Sequence, residues 1–180
     1  MNLLNRIRDR IHGTPEHQAM DWLADFCEEA PAIFYEPICH AKVKLLDEHA
    51  HLPERAHNSD AGWDITALYP ARIPSGSSVI IQTGLAIAVP TGWCIKAYSR
   101  SGMSFQNDIT LANSVGIIDA GYRGEIMVKL INHGKQPVEI EAGDKIAQLC
   151  FERVPQVILQ HVDQLDATDR GTGGLGSSGR

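Results

Sequence analysis

Apolar positions recur at two different spacings along this chain. Near the start, Leu3, Leu4, Ile7 and Ile11 follow a helical period that Gly13 ends. Thr14 and Pro15 form a cap and first-turn pair for a second helix. Its apolar face is Ala19, Leu23, Phe26 and Cys27, and Pro31 stops it. From residue 40 to 162 the pattern changes to short apolar runs. These predict strands at Ala41–Leu46, Trp63–Tyr69, Val79–Gln82, Leu85–Val89, Trp93–Tyr98, Glu125–Ile131, Lys145–Phe151 and Val157–Val162. Turn signals separate them, among them Pro74-Ser75-Gly76, Thr83-Gly84, Pro90-Thr91-Gly92, His133-Gly134 and Ala142-Gly143-Asp144. The region reads as entirely β, a sandwich, jelly roll or barrel. Strands do not alternate with helices, which argues against a doubly wound parallel sheet. Three parts are expected: a helical extension over 1–40, a β domain over 41–165 and a Gly-rich arm over 166–180.

Composition narrows the function classes. The 180 residues are 43% hydrophobic and 21% charged, as in an ordinary globular domain. A formal charge of −6 argues against nucleic-acid binding, which needs a basic face. A nucleotide ligand needs only a few local cations. No apolar run approaches the ~18–20 residues of a membrane span, and the first residues carry no signal-peptide core. Cys27, Cys39, Cys94 and Cys150 make no metal or redox spacing. They read as reduced core thiols of a cytoplasmic protein. His49, His51 and His57 lie with Glu48 and Glu54 in a polar stretch that reads as a solvated loop.

Polar interruptions of the β pattern carry the candidate chemistry. Val115, Ile117 and Ile118 lead to Asp119, then to Tyr122 and Arg123 between two glycines. A carboxylate at the tip of a buried hairpin is costly to desolvate, so Asp119 is either paired or poised for chemistry. Arg100, Ser101 and Gly102 follow a strand and offer donors suited to polyphosphate, or form a surface turn. Asp64 interrupts an apolar strand, either to orient magnesium-bound water or to bond a nearby turn. Gln148 is polar inside an apolar strand and either donates to a phosphate or faces solvent. The tail has too little apolar content to fold alone. Yet Arg170, Thr172, Ser177, Ser178 and Arg180 among glycines are phosphate-type ligands.

These interruptions occur in a fixed order. They are Ala-Gly-Trp-Asp at 61–64, Arg-Ser-Gly at 100–102, Asn113 with Gly-Ile-Ile-Asp-Ala-Gly-Tyr-Arg-Gly-Glu at 116–125, Gly-Asp-Lys-Ile-Ala-Gln at 143–148, and Arg-Gly-Thr-Gly-Gly-Leu-Gly-Ser-Ser-Gly at 170–179. In them the chain resembles the homotrimeric dUTPase family over roughly residues 41–179. The resemblance implies an all-β, distorted jelly-roll or β-barrel-like fold with a flexible C-terminal arm. It implies hydrolysis of dUTP to dUMP and pyrophosphate, which limits uracil incorporation into DNA and supplies dUMP for thymidylate synthesis.

The resemblance also assigns roles. Asp119 matches the carboxylate that activates water for attack on the α-phosphorus. Asn113 and the backbone of Gly116, Ile117 and Ile118, with Met127, match the uracil pocket, and Tyr122 matches the ring beneath the deoxyribose. Arg100, Ser101, Gly102 and Gln148 match phosphate contacts. Arg170, Leu175, Gly176, Ser177 and Ser178 match the closing arm. Mg2+ is implied as cofactor, held by phosphates and water, with Asp64 acting through water and no direct protein ligand. A homotrimer with shared sites is implied, with neither nucleic acid nor membrane as partner.

Three departures stand out. Ser99 replaces the usual proline, which loosens its turn. Leu175 replaces the aromatic that stacks on uracil. Residues 1–40 have no counterpart in the minimal family. The alternatives are a dCTP deaminase-type or bifunctional relative, and a dUTP-sensing regulatory protein that uses residues 1–40.

Overall fold

The computed structural model describes residues 38–175 and 177. The helices expected before residue 31, and nearly all of the expected extension over 1–40, lie outside the described residues. Every element below belongs to the unit Ala41–Arg180.

The described residues fold into short antiparallel strands and one helix. In chain order these are β1 (Lys42–Leu45), β2 (Trp63–Thr66), β3 (Ala71–Ile73), β4 (Ser78–Gln82), β5 (Leu85–Ala88) and β6 (Trp93–Tyr98). Then come the helix α1 (Ser101–Asn107), β7 (Ile109–Leu111), β8 (Val115–Asp119), β9 (Met127–Asn132), β10 (Val138–Ile140) and β11 (Lys145–Arg153). They form a four-stranded sheet β2-β11-β6-β8, a three-stranded sheet β4-β9-β7, and the pairs β1-β5 and β10-β3. The class is the predominantly β one that the apolar pattern predicts. The period-2 signal is cleanest in β9, where Val128 and Leu130 are buried and Met127 and Lys129 exposed. In β5, Leu85, Ala86 and Ile87 are all buried, as in a strand covered on both faces. The turn glycines Gly76, Gly84, Gly92 and Gly143 take positive φ of 67–87°, where a Cβ would be strained.

Ile65, Ile73, Leu85, Ile95, Ile109, Leu130 and Leu149 form the center of the core. Asn132 is fully buried among them. Its amide nitrogen donates to the Ile73 and Gln136 carbonyls at 3.0 and 2.8 Å, and its oxygen accepts from Gly134 N–H at 2.8 Å. That side chain therefore ties three segments without leaving a polar atom unpaired.

Four expectations need correction. The region 40–162 is not entirely β, because α1 follows β6 directly. Val157–Val162 forms no strand: its residues are exposed, and an apolar run without a ladder partner remains extended coil. The hairpin carrying Asp119 is not buried, since Ile117 is 67% and Met127 50% exposed. Of the described cysteines only Cys94 is buried, while Cys39 and Cys150 are half-buried free thiols whose pKa burial raises; Cys27 lies outside the described residues.

Candidate active site

The four-stranded sheet sets the site by putting β6 at its center. One neighbor, β11, aligns Gln148 with Tyr98 of β6 and with Asp64 of β2. The other, β8, aligns Asp119 with Cys94 and Val115 with Tyr98. Chemistry-bearing residues thus collect at both ends of one strand.

At the C-terminal end of β6 lies a polar pocket of about 390 Å³, lined by Asp60, Gly62, Asp64, Arg100, Ser101, Gly102 and Gln148 among others. Asp64 is pinned through its backbone, which exchanges hydrogen bonds with Glu54 at 2.7 and 3.1 Å. Its carboxylate holds Arg100 Nε at 2.8 Å and Lys145 Nζ at 2.9 Å. Arg100 Nη1 also donates to the Lys145 carbonyl at 3.1 Å. The guanidinium is thus fixed on two sides. Gln148 donates to the Ser99 carbonyl at 2.9 Å. A Cβ on Gly62 would overlap the Gln148 amide oxygen, so glycine at 62 is what lets Gln148 reach the pocket. Arg100 opens α1 with extended backbone and no side-chain cap, which leaves first-turn amides on the pocket side unsatisfied by the helix itself. The Ser99 hydroxyl accepts from Leu111 N–H at 2.8 Å, which ties its turn to β7.

The hairpin from β8 to β9 forms the second part. β8 pairs with β6 on one edge and ends its sheet, while β9 pairs with β4 and β7. The two hairpin arms are therefore not laddered to each other. A groove of about 540 Å³ opens here, lined by Asn113, Gly116, Ile117, Ile118, Met127 and neighbors. The outer edge of β8 presents backbone donors and acceptors to any flat group that enters. A Cβ at Gly116 would crowd Ala97 at 3.3 Å and the Asn113 amide at 3.4 Å. Next to the groove is a pocket of about 220 Å³ bordered by Ile117, Ile118, Asp119, Tyr122 and Met127.

Asp119 stands exposed at the strand tip. Its carboxylate has no ion pair or hydrogen bond among the described residues, so the desolvation cost expected of it is not incurred here. Tyr122 is held in place: its hydroxyl donates to the Glu125 carbonyl at 3.0 Å, and its ring lies so close to Gly124 that a Cβ there would be 2.5 Å from the phenol oxygen.

Sequence reasoning missed what anchors this hairpin. Glu125 accepts from the Thr83 and Gly84 amides at 3.2 and 2.8 Å, and from Gln82 Nε2 at 3.3 Å. Buried Thr83 returns a hydroxyl bond to the Ile126 carbonyl at 2.5 Å. Only its charged character directly after Gly124 could have marked Glu125. Glu125→Ala is expected to cost about 1.5–3 kcal/mol, the usual range for hydrogen bonds to a charged group. Denaturant melts would read the loss, and amide exchange should quicken across 115–127 before the sheet centers; unchanged exchange there would refute the anchor.

The structure thus assembles Asp64, Arg100, Ser101, Gly102 and Gln148 in one place. It assembles Asn113, Gly116, Ile117, Ile118, Asp119, Tyr122 and Met127 in another. Arg170, Leu175 and Ser177 line none of these three cavities, and Leu175 is fully exposed; Gly176 and Ser178 lie outside the described residues. Arg170 instead closes its own turn through a bond to the Gly173 carbonyl at 2.9 Å. Among the described residues no group of three or more His, Cys, Asp or Glu could enclose a metal. The polar pocket does hold two carboxylates, Asp60 and Asp64, a donor set suited to an ion that keeps its waters and rides on substrate phosphates. No described helix is long and apolar enough to cross a membrane.

This chain is similar to known proteins over the same residues. The dUTPase family model matches residues 48–179. A deoxyuridine 5′-triphosphate nucleotidohydrolase of Clostridium acetobutylicum is 43% identical over 138 residues, 77% of this chain and 95% of the relative. One from Nocardia farcinica is 44% identical over 138 residues, 76% of this chain and 84% of the relative. Among solved structures, a Staphylococcus bacteriophage 80alpha dUTPase with dUpNHpp superposes with a TM-score of 0.72 at 28% identity, covering 78% of this chain and 98% of the other. A dUTPase of phage phi11 of S. aureus, described with a structural Mg(II) ion, superposes with a TM-score of 0.64 at 29% identity, covering 69% and 97%.

Proposed function

The chain belongs to the dUTPase family and is a dUTP diphosphatase, and from that premise we propose how its residues divide the reaction. Uracil enters the open groove and bonds the free edge of β8 over Gly116–Ile118, with Asn113 and Met127 closing the slot. Backbone groups of fixed polarity match uracil and mismatch cytosine, which reverses donor and acceptor at one edge. Tyr122, fixed by Glu125 and Gly124, lies beneath the deoxyribose and leaves no room for a 2′-hydroxyl. Asp119 takes a proton from the water that attacks the α-phosphorus. The bond to the bridging oxygen breaks, and pyrophosphate leaves. Arg100, Ser101, Gly102 and Gln148 hold the outer phosphates.

A magnesium ion would neutralize phosphate charge in this pocket. Asp64 would face it through water, since a carboxylate already engaged by Arg100 and Lys145 keeps lone pairs for a further donor. The reaction acts on free nucleotides, and we place it in the cytoplasm.

The observation that carries the reading is the register of β6. Asp119 lies opposite Cys94, whereas Arg100 follows the far end of the strand. Those six residues span ~20 Å along a strand. A triphosphate held by Asp119 at its α-phosphorus does not reach the Arg100 pocket of the same protomer. That separation supports a complete site that takes its hairpin from one subunit and its phosphate pocket from another, within a homotrimer. The arm closes over the nucleotide from a further copy, with Leu175 and Gly176 over the base and Arg170, Ser177 and Ser178 at the terminal phosphates.

Pyrophosphate release from dUTP, compared with dTTP, dCTP and UTP with and without magnesium, tests the assignment. Release from dUTP alone is expected, and ammonia from dCTP is not; comparable rates on dTTP would overturn the groove reading. Removing residues 169–180 should leave a folded oligomer whose hydrolysis falls about a hundredfold, because closure excludes water and fixes the in-line geometry. Full activity of the truncated protein would remove the arm from the site.

A further inference from the structure

The strand β11 carries one residue too many against β2. Ala147, Gln148 and Leu149 stand opposite Ile65, Asp64 and Trp63, yet Lys145 rather than Ile146 stands opposite Thr66. In an unbroken strand Lys145 would share the face of Ala147 and Leu149, both fully buried. The bulge buries Ile146 and Ala147 in succession and turns Lys145 to the side of Asp64. There Lys145 Nζ sits 2.9 Å from Asp64 Oδ2, while Arg100 Nε takes Oδ1 at 2.8 Å.

Charge counting gives this placement a purpose. Asp64 fixes the guanidinium of Arg100, but by itself it would also cancel that charge. With Lys145 the cluster of Arg100, Asp64 and Lys145 keeps one positive unit, which offsets the carboxylate of Asp60 on the same pocket. We propose that Lys145 is a positioning residue of the phosphate pocket: bulged onto the Asp64 face, it lets the carboxylate orient Arg100 without leaving the pocket net negative toward the outer phosphates of dUTP. The inference rests on the phosphate-pocket assignment above. The Asp64 side chain is 15% exposed and that of Lys145 40%, so solvent screens the cluster only in part.

The test compares the full-length protein with Lys145→Met and Lys145→Arg. Calorimetry would measure binding of dUMP and of the α,β-imido analogue of dUTP at low and high salt. Lys145→Met should weaken the imido analogue about tenfold and flatten its salt dependence, because a net charge near the phosphates is lost. Binding of dUMP should change less than about twofold, since its single phosphate lies with the hairpin. Lys145→Arg should restore the analogue's affinity. Wild-type affinity in Lys145→Met would overturn the inference. Equal weakening of both ligands, with no rescue by arginine, would also overturn it by reducing Lys145 to a structural contact. If the wild-type protein itself fails to bind the imido analogue, the pocket assignment falls and the inference with it.

Discussion

Replacing Asp119 with asparagine is expected to cut dUTP turnover by at least about a hundredfold, the lower end of what a positioned general base supplies. Binding of the imido analogue should stay within about threefold, because the amide keeps the shape of the carboxylate and its capacity to accept a hydrogen bond. The fold should be unaffected. Asp119 is exposed and engages no partner among the described residues, and substitutions at such positions usually change stability by less than about 0.5 kcal/mol. Single-turnover kinetics beside calorimetry separates the two effects. The loss should sit in kcat, since the proton is taken only as the water attacks. Near-normal turnover would show that another group activates the water. A loss confined to KM would make Asp119 a sugar-binding residue instead.

Much of the sheet framework was legible in the chain, because burial imposes period 2 wherever one face is covered. β6 is read to the residue and β4 and β5 to within one, and the glycine turns follow from their positive φ. The three-residue strands β3, β7 and β10 are too short to display any period. The helix α1 hides for a different reason: it buries no residue and leaves Phe105 88% exposed, so no amphipathic stripe marks it. Among site residues, Asp64 and Gln148 announce themselves as polar breaks in apolar strands and Asp119 as a carboxylate that ends one. Arg100, Asn113 and Tyr122 lie outside the strands and are marked by their place in the ordered motifs. Glu125 and Lys145 do not announce themselves. The first acts through two backbone amides some forty residues away. The second depends on a bulge that alternation cannot reveal, since Lys-Ile-Ala-Gln reads as a plain strand whose lysine points inward with Ala147. Solvent exposure of the Asp119 hairpin was likewise invisible: Val115, Ile117 and Ile118 look like core, yet Ile117 is 67% exposed.

Mixing two inactive variants should restore activity. Asp119→Asn lacks the proposed base, and Arg100→Ala lacks the guanidinium that meets the outer phosphates, so each alone should be nearly inert. If a site takes its hairpin and its phosphate pocket from different subunits, a mixed trimer contains sites with both wild-type halves. Such a site needs an Arg100→Ala subunit supplying Asp119 and an Asp119→Asn subunit supplying Arg100. Random assembly of equal amounts meets each condition half the time, so about a quarter of wild-type activity per site is expected. Co-expression, or denaturation and refolding together, would form the mixture. Combining the separately folded proteins without exchange is the control and should stay inactive. The alternative geometry has both halves in one protomer, and there every site carries a lesion and mixing gives nothing. The register of β6 separates the two halves by most of a strand, and recovery on mixing is the outcome it requires.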